Sequence, residues 1–199
     1  MNFLKQERQT LENLLPGLDE ALAGFSLMEM ERPGNPSIPA FRRLGGPGLL
    51  VPARFGGRGA DPLHAVRAQR AIACRAPSLA VATTMHHFTL ASLMEIDPEN
   101  PDIEAELLES VARGILYVGS GFAESEPGTS IQKSALRMER SPGGSLLNGS
   151  KMPCSLSQSM DLFTVSTPPL PGMEAGLAAA IFPADTPGIE PRPFGKVPY

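Results

Sequence analysis

Tryptophan is absent from this chain and cysteine nearly so, with two residues in 199. The two cysteines, Cys74 and Cys154, stand far apart and give no paired spacing. That argues against a disulfide framework and for a reduced, cytoplasmic setting. An excess of positive charge is also missing. The chain carries 17 Lys and Arg against 21 Asp and Glu, a net charge of −4, and its cations are scattered, so nucleic acid is not an expected partner. No apolar run approaches a membrane span. The opening MNFLKQERQTLENLL is mixed in charge and lacks the apolar block of a signal peptide. No internal repeat is visible. Proline and glycine are plentiful, at 21 and 20 residues, but they punctuate periodic segments and do not themselves repeat. A hydrophobic share of 42% beside a charged share of 19% suits a globular protein with a real core.

Taken in order, the first half reads as helices. Leu11, Leu14, Leu15, Leu18 and Leu22 fall at helical spacing and predict one buried stripe, which Pro16-Gly17 kinks or splits. The proline-rich stretch from Glu29 to Pro39 reads as loop, and Phe41 to Leu44 as a short helix ended by Gly45-Gly46-Pro47-Gly48. Asp61-Pro62 is a helix start, an acidic cap followed by proline in the first turn. Its expected apolar side is Leu63, Val66, Ile72 and Ala73, with Arg67, Gln69 and Arg70 in water. Pro77 opens a helix to about Ile96 that is apolar nearly all round, as suits the middle of a bundle. Asn100-Pro101-Asp102 opens another, with Ile103, Leu107, Leu108 and Val111 inward and Glu104, Glu106 and Glu109 outward.

The stretch Leu116 to Val165 changes character. Leu116, Val118 and Phe122 fall at even spacings, one face of a strand, with Tyr117 and Ala123 on the other. Pro127 and Gly128 end it. Leu136 and Met138 alternate with Arg137 and Glu139, a half-solvated strand that Pro142-Gly143-Gly144 turns back. Asn148-Gly149 is a further hairpin-turn signal. TPPLPG after Val165 reads as loop and Gly176–Ala184 as a buried strand. The expected architecture is α+β: a helical domain over 1–114, then an antiparallel β-barrel or sandwich-like domain over 115–199.

The phrase SEPG at Ser125–Gly128, followed by LNGSKMPCS at Leu147–Ser155, resembles the flavin-contacting region of the acyl-CoA dehydrogenase family. That family shows Thr-Glu-Pro-Gly, a variable hairpin, then Asn-Gly-x-Lys and a short loop ending in Thr or Ser. GLLVPARFGGRGAD at Gly48–Asp61 resembles the family's connection between early helices, and FPADTPGIEPRPFG resembles the segment closing this part of its β domain. The order of helices then strands is similar too. The resemblance covers the family's N-terminal and central domains and finds no counterpart of its C-terminal helical domain, nor of the catalytic glutamate that domain supplies.

The resemblance implies FAD as cofactor. Such a site needs no metal and no protein nucleophile, only a planar ring held by backbone groups and short hydroxyls. It implies that the backbone at Phe122 and Glu124 and the hydroxyl of Ser125 face the flavin's pyrimidine side, and that Ser155 bonds near N5 and O4. Pro153 stands where the family often has a tryptophan covering the flavin. Thr129 and Ser130 take the place of a longer Gly-x-Gly-Ser-Asp run whose serine lies near the acyl thioester. Glu126 matches a structural glutamate, so neither it nor Glu124 is cast as a base, and no catalytic residue is assigned. Gly119-Ser120-Gly121 lacks the third glycine of a dinucleotide fingerprint, and Gly149-Ser150-Lys151 lacks the Gly-Lys adjacency of a phosphate loop. His86 and His87 lie on the most apolar helix without a carboxylate or cysteine at ligand spacing, so a core or pocket-lining role is expected of them and a metal is not.

The implied reaction is α,β-dehydrogenation of an acyl-CoA or other acyl thioester, a base taking the α-proton and the β-hydride leaving to flavin. Electrons then pass to a separate acceptor, in a homo-oligomer when complete. As 199 residues alone the chain is expected to be inactive. The alternatives are a flavin-dependent monooxygenase or oxidase of the same fold, and a truncated module that catalyses nothing.

Overall fold

In the computed structural model, which describes residues 3–95, 101–124, 134–142, 144–169 and 178–193, the leucine stripe folds as two helices, α1 (Lys5–Leu14) and α2 (Leu18–Ala23). Gly17 separates them at φ 81°, a value glycine adopts without strain. Leu11, Leu15, Leu18 and Leu22 are fully buried, as their spacing predicts. Asp19 pairs with Arg8 at 2.6 Å and with Arg75 at 3.0 Å, tying α1 and α2 to the end of α5 (Pro62–Ala73).

Two short helices reach into the stretch read as loop, and the second contains most of the short helix expected at Phe41 to Leu44. α3 (Leu27–Met30) opens on a reciprocal cap, in which Ser26 accepts from the Glu29 amide while the Glu29 carboxylate accepts from the Ser26 amide. The Ser26 hydroxyl, which donates to the Glu29 carboxylate, and then the Ser26 amide hold that carboxyl below its usual range. α4 (Ser37–Arg43) tolerates Pro39 because a first-turn amide has no intrahelical partner to lose.

Asp61 caps α5 by accepting from the His64 amide at 2.8 Å, which lowers its carboxyl pKa. The buried face of α5 is Ala68, Ala71 and Ile72, whereas Leu63 and Val66 are exposed. Gln69 is not in water: its amide donates to the Ala80 carbonyl and to the Thr83 and Thr84 hydroxyls of α6 (Pro77–Glu95). The helix is turned from its expected orientation: packed between α1 and α6, it buries its small alanines and Ile72 and leaves Leu63 outside. α6 buries Leu79, Ala80, Thr83, His86, His87, Thr89 and Leu90 and leaves Val81 and Phe88 exposed. α7 (Pro101–Gly114) buries Leu108 and Val111, while Glu106 and Glu109 face out. Asn100 lies outside the described residues, as do the side chains of Ile103 and Glu104.

His86 donates from Nε2 to the Pro47 carbonyl at 2.8 Å, and its ring meets Tyr117 edge-on at 5.9 Å. Tyr117 donates to the Ile38 carbonyl at 2.7 Å and stacks on Phe41. The histidines are therefore core residues of the helical unit, which runs Met1–Tyr117.

The second unit, Val118–Tyr199, carries two sheets. One has the order β1-β4-β5, from β1 (Val118–Gly121), β4 (Leu162–Thr167) and β5 (Ala178–Pro183). The other is the hairpin of β2 (Arg137–Ser141) and β3 (Gly144–Asn148). The α+β order is the expected one, with two differences inside it. No barrel closes among the described residues, and β1 runs parallel to β4 while β4 and β5 are antiparallel. Gly119 and Gly121 make the close β1–β4 packing possible: a Cβ would meet Met160 Sδ at 2.4 Å at the first and the Phe163 ring at 2.7 Å at the second. The hairpin turns between Ser141 and Gly144, whereas Asn148-Gly149 ends β3 and makes no turn of its own. Gly149, at φ 148°, lets the chain pass against Leu136. β5 alternates between half-buried and exposed positions, since it is the edge of its sheet and not its centre. Among the described residues no helix is long and apolar enough to cross a membrane.

Candidate functional site

β1 is paired with β4 through Gly121, where that ladder stops. On its other side it meets the segment that follows β3. Ser120 bridges Ser155, and Glu124 bridges Lys151, both antiparallel. The two bridges share one antiparallel register, and the Met152 amide donates to the Ala123 carbonyl in that same register. Phe122 and Pro153 therefore occupy facing positions. Four of the expected site residues, Phe122, Glu124, Pro153 and Ser155, thus lie along one strand edge and its strap. Phe122 and Ser155 are half-buried, and Met152 and Pro153 form an exposed lip. Ser125, Thr129 and Ser130 lie outside the described residues, as do Glu126, Pro127 and Gly128.

Beneath this edge is a buried polar cluster. The Lys151 ammonium and the Glu124 carboxylate form an ion pair with side-chain exposures of 2% and 1%. Lys151 also donates to Ser166 Oγ at 2.7 Å and to Ser134 Oγ at 3.2 Å. Its three protons thus meet three acceptors, all that an ammonium can satisfy. Glu124 Oε1 accepts as well from the Ala135 amide at 3.2 Å, and Ser134 donates to the Ser166 carbonyl at 2.8 Å. Glu124 Oε2 is buried without a partner among the described residues. Lys151, Ser134 and Ser166 are the residues that sequence reasoning did not assign. An acidic residue at a strand end and a lysine after Asn-Gly are visible signals, but their opposition appears only in the register.

Next to the cluster, Cys154 is half-buried, and burial raises its thiol pKa, a backbone hydrogen bond from Ser120 opposing the shift. The Ser120 hydroxyl is buried and has no partner among the described residues. No group of three or more histidine, cysteine or acidic side chains able to hold a metal occurs among the described residues. Among the described residues the edge therefore offers backbone groups and neutral hydroxyls, with its one described carboxylate drawn inward.

No family model matches the chain. Among curated proteins it is 43% identical over 203 residues to isobutylamine N-hydroxylase of Streptomyces viridifaciens, covering all of this chain and 53% of that protein. The chain thus spans about half the length of that relative. Among solved structures, KijD3 in complex with FMN and dTDP-3-amino-2,3,6-trideoxy-4-keto-3-methyl-D-glucose matches 92% of this chain and 45% of its own, at TM-score 0.69 and 25% identity. A glutaryl-CoA dehydrogenase from Mycobacterium smegmatis in complex with FADH2 matches 92% of this chain and 46% of its own, at TM-score 0.68 and 19% identity. With helices followed by strands and these likenesses, the chain has the acyl-CoA dehydrogenase fold, of which it spans the N-terminal part.

Proposed function

We propose that this chain forms the flavin-facing part of a flavin-dependent monooxygenase that N-hydroxylates a small aliphatic amine. The observation that carries the reading is the 43% identity to an isobutylamine N-hydroxylase along the whole chain, against 19% to a glutaryl-CoA dehydrogenase. Dehydrogenation of an acyl thioester becomes the second reading. Pro153, in place of the aromatic that often covers the flavin of acyl-CoA dehydrogenases, favours the first.

The donor set fits a flavin. A flat, polar ring edge is held by backbone amides and short hydroxyls that approach it closely, and the strand edge at Phe122–Glu124 with the Ser155 hydroxyl supplies those. The site's only described carboxylate is buried against Lys151 and brings no unpaired negative charge to the edge. In this reading Phe122 and Glu124 bind through backbone groups, the Ser125 and Ser155 hydroxyls orient the ring, and Met152 and Pro153 shape its cover. Thr129 and Ser130 belong to the substrate loop. Flavin, when bound and reduced, supplies the activation of dioxygen. The overall balance is amine, dioxygen and two reducing equivalents giving hydroxylamine and water. Dioxygen replaces the separate electron acceptor that dehydrogenation requires. FAD is the form implied by the sequence, and KijD3 was solved with FMN, so both are to be titrated. Residues 1–114 and 115–199 serve as helical and β domains, and the working enzyme is a homo-oligomer.

The test supplies the intact protein with reduced FAD or FMN, isobutylamine and labelled dioxygen. A hydroxylamine carrying one labelled oxygen is expected. Anaerobic bleaching of bound flavin by an acyl-CoA thioester, with no hydroxylamine formed in air, overturns the reading in favour of dehydrogenation.

A further inference from the structure

The buried pair joins four segments that are distant in sequence. Glu124 ends the β1 edge, Lys151 begins the strap that carries Pro153 and Ser155, Ser134 leads into β2, and Ser166 lies on β4. Burying two charges is costly, and an apolar pair of similar volume commonly holds a core at least as well. Stability alone is therefore a poor account of this cluster. An ion pair has something an apolar contact lacks: direction. Three donors on one nitrogen, each with its own acceptor, fix where Lys151 sits relative to the strand end, the β4 side chain and the turn into β2. The next residues of the strap inherit that position. Ser155 stands four residues after Lys151 in the register that joins it to Ser120.

We propose that Lys151 is a positioning residue for the flavin site. Locked to Glu124, Ser134 and Ser166, it sets the separation and register between the backbone edge at Phe122–Glu124 and the Ser155 hydroxyl. It also holds the Glu124 carboxylate in the interior, so that the described residues of the edge present neutral donors and acceptors. The inference rests on the reading that these two segments hold a flavin.

The test titrates FAD and FMN into the intact protein and records the dissociation constant and the visible flavin spectrum, with circular dichroism and thermal midpoint in parallel. The double variant Glu124→Leu with Lys151→Met replaces the ion pair by an apolar one. It is expected to keep the wild-type circular dichroism and midpoint while weakening flavin binding at least about tenfold and changing the fine structure of the visible band. Lys151→Arg, which keeps the charge but spreads its donors over a planar fork, is expected not to restore the spectrum. Ser166→Ala, which removes one acceptor and leaves the ion pair, gives a second route should the double variant fail to fold, with an expected loss of about threefold. Wild-type affinity and spectrum in a folded double variant overturn the proposal, as does wild-type behaviour of Ser166→Ala if the double variant does not fold. Absence of flavin binding by the wild-type protein itself overturns the reading beneath it, and so the two failures are told apart.

Discussion

At Lys151 the arithmetic of donors and acceptors closes, whereas at Glu124 one carboxylate oxygen is left over among the described residues. This asymmetry makes the single substitutions unequal to the double. Lys151→Met leaves a carboxylate with a side-chain exposure of 1% without its counter-ion. Breaking a buried pair in this way typically costs about 3–5 kcal/mol. Adding Glu124→Leu removes the stranded charge, so most of that loss is expected to return, and urea unfolding of wild type, single and double variants measures it. A double variant as unstable as the single would mean that Lys151 acts through packing alone. The candidate site residues were picked from the sequence because their phrases resemble a known pattern, and the register brings Phe122, Glu124, Pro153 and Ser155 to one edge. Ser134 and Ser166 were not readable. A serine becomes an acceptor for a buried lysine only through the strands that bring it there, and nothing local marks it.

Elements were legible where one local rule decided them and less so where packing chose between faces. The α1–α2 break followed from Pro16-Gly17, and the start of α5 from Asp61-Pro62. The cap of α3 was also written in the sequence, as Ser26 followed three residues later by Glu29, but the prolines beyond it suggested loop. The turn of α5 about its axis is different. Leu63 and Val66 look like core and Gln69 like surface, yet the buried face is Ala68, Ala71 and Ile72, and Gln69 reaches across to α6. The two assignments predict opposite rankings. Gln69→Ala should cost about 1 kcal/mol, as for a partly buried side-chain hydrogen bond, and Ile72→Ala about 2–5 kcal/mol, as for a large core residue. Leu63→Ala in the 199-residue chain should lie within about 0.5 kcal/mol of wild type, as for a surface position. Denaturation midpoints of the three variants decide it: a Leu63→Ala loss larger than that of Ile72→Ala would restore the face expected from sequence. The parallel β1–β4 pair lies beyond any local signal, because strand direction in a sheet depends on the path of the chain between strands.

For the molecule as a whole, a titration consequence sits in the helical unit, at His87. His87 is 6% exposed, and neither ring nitrogen has a partner among the described residues. Its ring lies 5.3 Å from that of His86 and 6.1 Å from that of Phe41, and the Arg42 guanidinium caps the neighbouring Tyr117 ring. Burial first, and then the charge of His86, push the His87 pKa well below its usual value of 6.5. The folded protein therefore keeps this ring neutral at a pH where the unfolded chain protonates it. With the unfolded state binding the extra proton, stability falls as pH drops below the unfolded value of 6.5, by up to about 1.4 kcal/mol for each pH unit between the two pKa values. Above 6.5 this contribution does not change with pH. His87→Leu removes both the titration and two buried nitrogens left without partners, so it should match or exceed wild type at pH 7 and lose less on acidification. Urea midpoints at pH 8, 7, 6 and 5.5, followed at the helical dichroism band, report this unit because every described helix lies in it. Parallel curves for wild type and His87→Leu would show that His87 titrates alike in both states, and that its burial in the core does not hold it neutral.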